Sequence, residues 1–186
     1  MSDILNNLQS TDPTKYKQIL EYGKLIIKSA KEQTADQFKN LWENCMYKAF
    51  LEWHLSQAFR IVLSKFVFDF VSVFIDCIKP NFKCKLYAGI VHYYVWNCRE
   101  RHIVEGGVEC KILERLFEVF DPNEVEYAYG NSVLHVAFLT KQFHLAMLIL
   151  KKGGNPRTSN IKGEEAIKYL CNLSKEEVEE VIKYIK

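Results

Sequence analysis

Apolar residues recur at helical spacing along most of this chain, and long strand-like alternation is missing. Asp12-Pro13 reads as a helix start with proline at the first helical position, and Tyr16, Ile19, Leu20, Tyr22, Ile26 and Ile27 continue it. Thr34 and Gln37 have the spacing of a capping box and lead into Phe38, Leu41, Trp42, Met46, Phe50 and Leu51. The most hydrophobic stretch, FRIVLSKFVFDFVSVFIDCI at 59–78, contains Arg60, Lys65, Asp69 and Asp76. Those charges fit a buried helix pair and not a bilayer span. At the far end Ser174 and Glu177 make another capping box. Val178, Val181, Ile182 and Ile185 then form an apolar stripe opposite Glu176, Glu177, Glu180 and Lys183. The pattern predicts an all-α protein.

Within it lies a repeat. Gly130 and Gly163 are 33 residues apart, and the stretch GNSVLHVAFLTKQFHLAMLILKKGGNPRTSNIK begins at the first of them. It opens on a glycine turn and Leu134-His135-x-Ala137, runs through Ile149-Leu150 and reaches Gly153-Gly154-Asn155-Pro156. This resembles one ankyrin repeat at that family's period, with G-x-S-V-L-H-V-A where the family carries G-x-T-P-L-H-x-A. Ile149 to Gly163 spans fifteen residues, and so does Leu116 to Gly130, which places a preceding repeat over 87–129. Its Val91-His92 matches Leu134-His135, but His92 and His135 are 43 residues apart, so ten extra residues read as an insertion at 98–110. Residues 54–86 read as a degenerate repeat, with Pro80 following Val73 as Pro156 follows Ile149, and 163–186 as a capping repeat. Residues 1–53 do not match and read as an N-terminal helical cap. The resemblance spans about 54–186 and is specific over 126–163.

The resemblance implies an ankyrin-like solenoid of stacked helix-turn-helix repeats, because one such unit cannot bury its own apolar face. It implies structural roles for Gly130 in the turn, His135 in bonding the neighbouring loop, and Ala137 in close helix approach. Val133 and Lys141 depart from it, standing where the family has Pro and Gly; Lys141 must adopt a left-handed conformation or change the turn. It further implies a concave partner-binding face. The matching positions are Glu126, Tyr129, Asn131, Leu139 and Thr140 in the clear repeat, Trp96 and Asn97 before it, and Ile161 and Lys162 after it. Ala128, Asn160 and Glu164 belong with them, as do Lys83, Lys85 and Leu86 in the loop of the preceding repeat. Tyr129 and Trp96 are the residues to watch, since exposed aromatics are enriched at binding hot spots. The expected function is therefore a non-enzymatic adaptor or inhibitor that holds a protein partner, similar in kind to the small ankyrin inhibitors of NF-κB-type transcription factors. An alternative is an oligomeric scaffold subunit using the aromatic residues Tyr16, Phe38, Trp42, Phe50 and Trp53 of the N-terminal helices.

Composition changes this picture little. With 186 residues, 48% of them hydrophobic, and only four prolines and eight glycines, the chain can bury a continuous core. A net charge of +2 and twenty lysines against five arginines argue against a nucleic-acid reader, which favours arginine for phosphate and base edges. The opening MSDILNNLQSTDP has neither a basic nor an apolar signal region. The expected location is intracellular, cytoplasmic or nuclear, with no membrane partner and a monomeric or weakly oligomeric state.

No P-loop, G-x-G-x-x-G, G-x-S-x-G or H-E-x-x-H motif occurs. The acidic stretch Glu114, Glu118, Asp121, Glu124 and Glu126 reads as a solvated face. Cys98, His102 and Cys110, with Cys84 and His92 upstream, bring zinc-type ligands to the insertion. Their C-x3-H-x7-C spacing fits no common zinc pattern, and a loop with free thiols is the plainer reading. The expectation is no catalytic set, no metal and no cofactor.

Overall fold

A computed structural model describes residues 8–32, 34–46, 48–78 and 87–185. The protein is all-α, and two isolated antiparallel bridges are the extended pairings among the described residues. No described helix is long and apolar enough to cross a membrane. The chain packs as two compact units, residues 1–87 and 88–186.

In the first unit, helix α1 (Pro13–Glu32) is capped by Asp12, whose Oδ1 accepts the Lys15 N–H at 3.0 Å. Helix α2 (Ala35–Glu43) starts without the expected capping box: Thr34 makes no side-chain cap bond. Its hydroxyl donates instead to the Ser29 carbonyl at 3.3 Å, tying α2 to the end of α1. Helix α2 also ends early, with Asn44 as its C-cap, so Met46 leaves the apolar stripe and is 85% exposed. Helices α3 (Glu52–Lys65) and α4 (Phe68–Ile78) are the buried pair expected over 59–78, joined through Phe66 in a left-handed conformation.

Their aromatic residues decide how this unit packs. Phe74 stacks between Phe38, centroid at 4.4 Å, and Phe59 at 4.8 Å. Trp42 Nε1 donates to the Cys77 carbonyl at 2.6 Å. Each buried phenylalanine contributes roughly 1.5–3 kcal/mol. Residues 54–78, assigned by pattern to the repeats, thus pack with α1 and α2 inside the first unit. The tail of that segment, with Pro80, Lys83, Cys84, Lys85 and Leu86, lies outside the described residues.

The second unit holds helices α5 (Ile90–Asn97), α6 (Val108–Leu116), α7 (Val133–Leu139), α8 (Phe143–Lys151) and α9 (Lys175–Ile185). A 3-10 helix, Ala166–Asn172, precedes α9. Helix α5 packs on α7, and α7 on the 3-10 helix, while α6 packs on α8 behind them. Of the expected insertion at 98–110, only 101–107 lies outside helix, because Cys98–Glu100 forms a 3-10 turn and Val108 begins α6. That segment is pinned, not loose. Arg101 Nε meets buried Glu109 at 2.6 Å, the Tyr94 hydroxyl donates to the Glu109 carbonyl at 2.9 Å, and Ile103 is buried.

Helix ends reuse one device. After α8, Gly153 at φ 91° lets its N–H reach the Leu150 carbonyl and lets the Gly154 N–H reach Ile149. After α7, Lys141 at φ 59° does the same toward Phe138, and Gln142 toward Ala137. These are Schellman closures, and the second forces a β-carbon into left-handed space. At the far end, the Ser174–Glu177 capping box forms as expected, with reciprocal bonds of 2.9 and 3.3 Å.

Two stability measurements follow from this packing. A β-carbon at Gly23 of α1 would lie 2.4 Å from the His54 ring of α3. Alanine gains about 0.8–1 kcal/mol of helix propensity, but overpacking costs about 1–3 kcal/mol. Gly23→Ala is expected to lower unfolding free energy in urea by about 1 kcal/mol; a gain would show that the helices part freely there. Lys141→Gly relieves left-handed strain and is expected to raise stability by roughly 1 kcal/mol, read from the shift in urea midpoint.

Candidate functional site

The two loops before α7 and before the 3-10 helix are built alike. Asp121 Oδ1 accepts the Asn123 N–H at 2.8 Å, and Asn155 Oδ1 accepts the Arg157 N–H at 2.9 Å. Val125 bridges to Ser132, and Ser159 to Glu165. Each tip then turns on a glycine, Gly130 at φ 67° and Gly163 at φ 71°, a region that L side chains adopt only at a cost. The tips are joined to one another by the Ile161 N–H donating to the Tyr129 carbonyl at 3.0 Å and by Asn160 Nδ2 reaching Asn131 Oδ1 at 3.1 Å. Asn123 accepts the Asn155 N–H at 2.7 Å and donates to the Gly153 carbonyl at 3.0 Å, linking the loop bases.

Beneath each tip sits a buried histidine. His135, the third residue of α7, accepts the Ser132 N–H on Nδ1 at 3.0 Å. Its Nε2 therefore carries the proton and donates to the Glu164 carbonyl at 2.9 Å. His92, the third residue of α5, donates from Nε2 to the Asn131 carbonyl at 2.9 Å. Both rings bond the carbonyl just ahead of the next hairpin's first cap residue. They differ at the other nitrogen: Ser132 caps α7, whereas Gly89 stands at that place before α5. The Nδ1 atom of His92 is buried without a hydrogen-bond partner among the described residues.

Above the histidines a cleft of about 380 Å³ opens, lined by His92, Tyr93, Trp96, Glu126, Tyr129, Asn131, Val136 and Leu139. Its walls are helix stripes. Tyr93 and Trp96 lie one turn apart on α5, as Val136 and Leu139 do on α7, so two packed helices present matching edges. Trp96 is 52% exposed, Tyr129 61% and Leu139 41%, leaving large apolar surface in contact with water. The Arg99 guanidinium lies over the Trp96 ring at 5.1 Å and pairs with Glu100 at 3.1 Å.

Five residues marked by resemblance, Trp96, Glu126, Tyr129, Asn131 and Leu139, come together in this cleft. Asn97 and Thr140 do not line it, and each spends its side chain on its own helix. Asn97 Nδ2 donates to the Tyr93 carbonyl at 2.7 Å, and the Thr140 hydroxyl to Val136 at 2.7 Å. Ile161 and Lys162 sit on the next tip, exposed, with Ile161 packed beside Gly130. Tyr93, His92 and Val136 also line the cleft, and the resemblance does not place them on the partner-binding face. The helical spacing of Tyr93 to Trp96 was the signal that could have found the first of them.

The acidic groups here are already engaged. The Glu126 carboxylate accepts the Ala128 and Tyr129 N–H groups at 2.7 and 2.8 Å, so it holds the turn. Glu164 takes Lys168 at 2.6 Å and the Tyr169 hydroxyl at 2.5 Å, and the Lys168 bond does most to hold its carboxyl down at about 2. Buried Cys98 has its thiol pushed up to about 12 by burial, and burial raises Cys110 too. These are protonated, unreactive thiols. Among the described residues no group of three His, Cys, Asp or Glu could hold a metal.

His92 gives this face a pH response. Burial, the largest influence, holds its ring below the ordinary histidine range. The unfolded chain therefore takes up the proton first, and stability present above about pH 6.5 is lost as pH falls through that value. The urea midpoint is expected to drop between pH 7.5 and 6.0. His92→Gln should shrink the drop, leaving the share of His54, whose ring burial also lowers. Burial raises the Glu124 carboxyl, which acts with the opposite sign and does so equally in wild type and variant. An equal drop in wild type and variant would remove His92 as the cause.

Scanned against models of known protein families the sequence matches none, and a search among curated proteins returns no match.

Proposed function

We propose that the second unit is an ankyrin-like stack and that the protein is a non-enzymatic, intracellular adaptor or inhibitor holding a protein partner in the cleft over α5 and α7. The observation that carries this reading is the pair of equivalent histidine bonds, His92 to Asn131 and His135 to Glu164. They lie below loop tips that each turn on a glycine and each follow an Asx turn closed between residues i and i+2. Repeated loops on a helical stack make a continuous surface, and such surfaces serve binding. Exposed Trp96 and Tyr129 beside Leu139 supply anchors of the kind that dominate interface energetics. The scaffold alternative draws less support. Of Tyr16, Phe38, Trp42, Phe50 and Trp53, only Trp53 is exposed, and Phe38 and Trp42 are core residues.

The test is affinity purification from the native host with wild type and a Trp96→Ala/Tyr129→Ala double variant. Losing two anchors should cut recovery of the specific partner at least about tenfold, while circular dichroism stays unchanged. Equal recovery would remove the cleft from the reading.

A further inference from the structure

The cleft also says what kind of partner suits it, provided the groove reading above holds. Its floor and walls are apolar and aromatic, and at about 380 Å³ it has room for one bulky side chain. Around it, charge is distributed unevenly. Four acidic groups near the cleft are bonded: Glu126 to turn amides, Glu164 to Lys168 and Tyr169, Glu124 to the Gly89 N–H at 3.1 Å, and Glu100 to Arg99. Two lysines are not. Lys162 stands beside Ile161 on the tip bonded to Tyr129, and Lys141 stands two residues beyond Leu139 at the end of α7. Both are exposed and have no ion-pair partner among the described residues. Arg99, over Trp96, is already paired with Glu100 and is not counted with them.

We infer that the groove is built for an acidic peptide segment of a partner protein. One bulky apolar side chain enters between Trp96, Tyr129 and Leu139, and flanking carboxylates meet Lys141 and Lys162. An uncommitted positive rim around an apolar centre selects partners through charge complementarity and disfavours basic ones by leaving like charges opposed. The engaged carboxylates make the choice one-sided. A basic segment would reach Glu126 or Glu164 only by breaking the bonds they already make.

Selection of a random 12-residue peptide library on the immobilised full chain tests this, using wild type, Lys141→Glu/Lys162→Glu and Trp96→Ala/Tyr129→Ala. Wild type should enrich peptides with one bulky apolar residue among Asp and Glu, and the aromatic variant should lose them. The charge-reversed variant should bind a chosen acidic peptide about tenfold more weakly by fluorescence polarisation and enrich basic flanks instead. Lys162→Glu alone, on an exposed tip, is the fallback if the double variant does not fold. Peptides that need Trp96 and Tyr129 yet show no acidic bias, or bind the reversed rim equally well, would overturn the inference while leaving the groove. Enrichment indifferent to Trp96 and Tyr129, or none at all, would sink both.

Discussion

A short helical hairpin has too little surface to hide its own apolar side, and in the second unit the His135 ring is where that constraint is met most tightly. The ring is fully buried with both nitrogens bonded, one to the cap of its own helix and the other to a carbonyl of the following hairpin. Cutting that link strands a buried donor at a cost of about 1–3 kcal/mol and loosens two loops together. Around it sit Val133, Leu134, Ala137 and Phe138, all buried, so the polar bond sets the register within which apolar packing occurs. Asn131, Asn160 and Glu126 extend the arrangement to the tips, which is why the cleft walls stand where they do.

His92 repeats the bond with less support. With Gly89 in place of a serine, its Nδ1 has no hydrogen-bond partner among the described residues, and the helix begins on a left-handed residue. The same element is therefore less well satisfied one hairpin earlier, beside the cleft that the pair of helices forms. A cleft bordered by a weakly capped helix suits the proposed binding role, since binding surfaces are drawn from the less stable parts of a fold.

Much of this was legible in the chain. Glycines at 130 and 163, the His135 position and the Ser174–Glu177 cap are local signals whose physics acts within a few residues, and each has its expected geometry. Of the two outcomes open to Lys141, a left-handed conformation or a changed turn, the chain adopts the first. Less legible were the cap at Thr34, which chose a carbonyl of α1 over its own helix, and Met46, stranded when α2 stopped at Glu43. Both depend on where neighbouring helices end. Tyr93 went unmarked because resemblance supplied positions one at a time, while the cleft is a property of two helix faces together.

Turn chemistry and apolar stripes determined that the chain is helical and where several of its turns and caps fall, because these follow from φ preferences and hydrophobic spacing in short windows. Only the tertiary structure decided that residues 54–78 pack with the N-terminal helices, through the stacking of Phe74 between Phe38 and Phe59. It alone decided which carboxylates are spent and which lysines have no ion-pair partner among the described residues. A side chain's partners are set by distances across the fold, and spacing along a chain does not contain those distances.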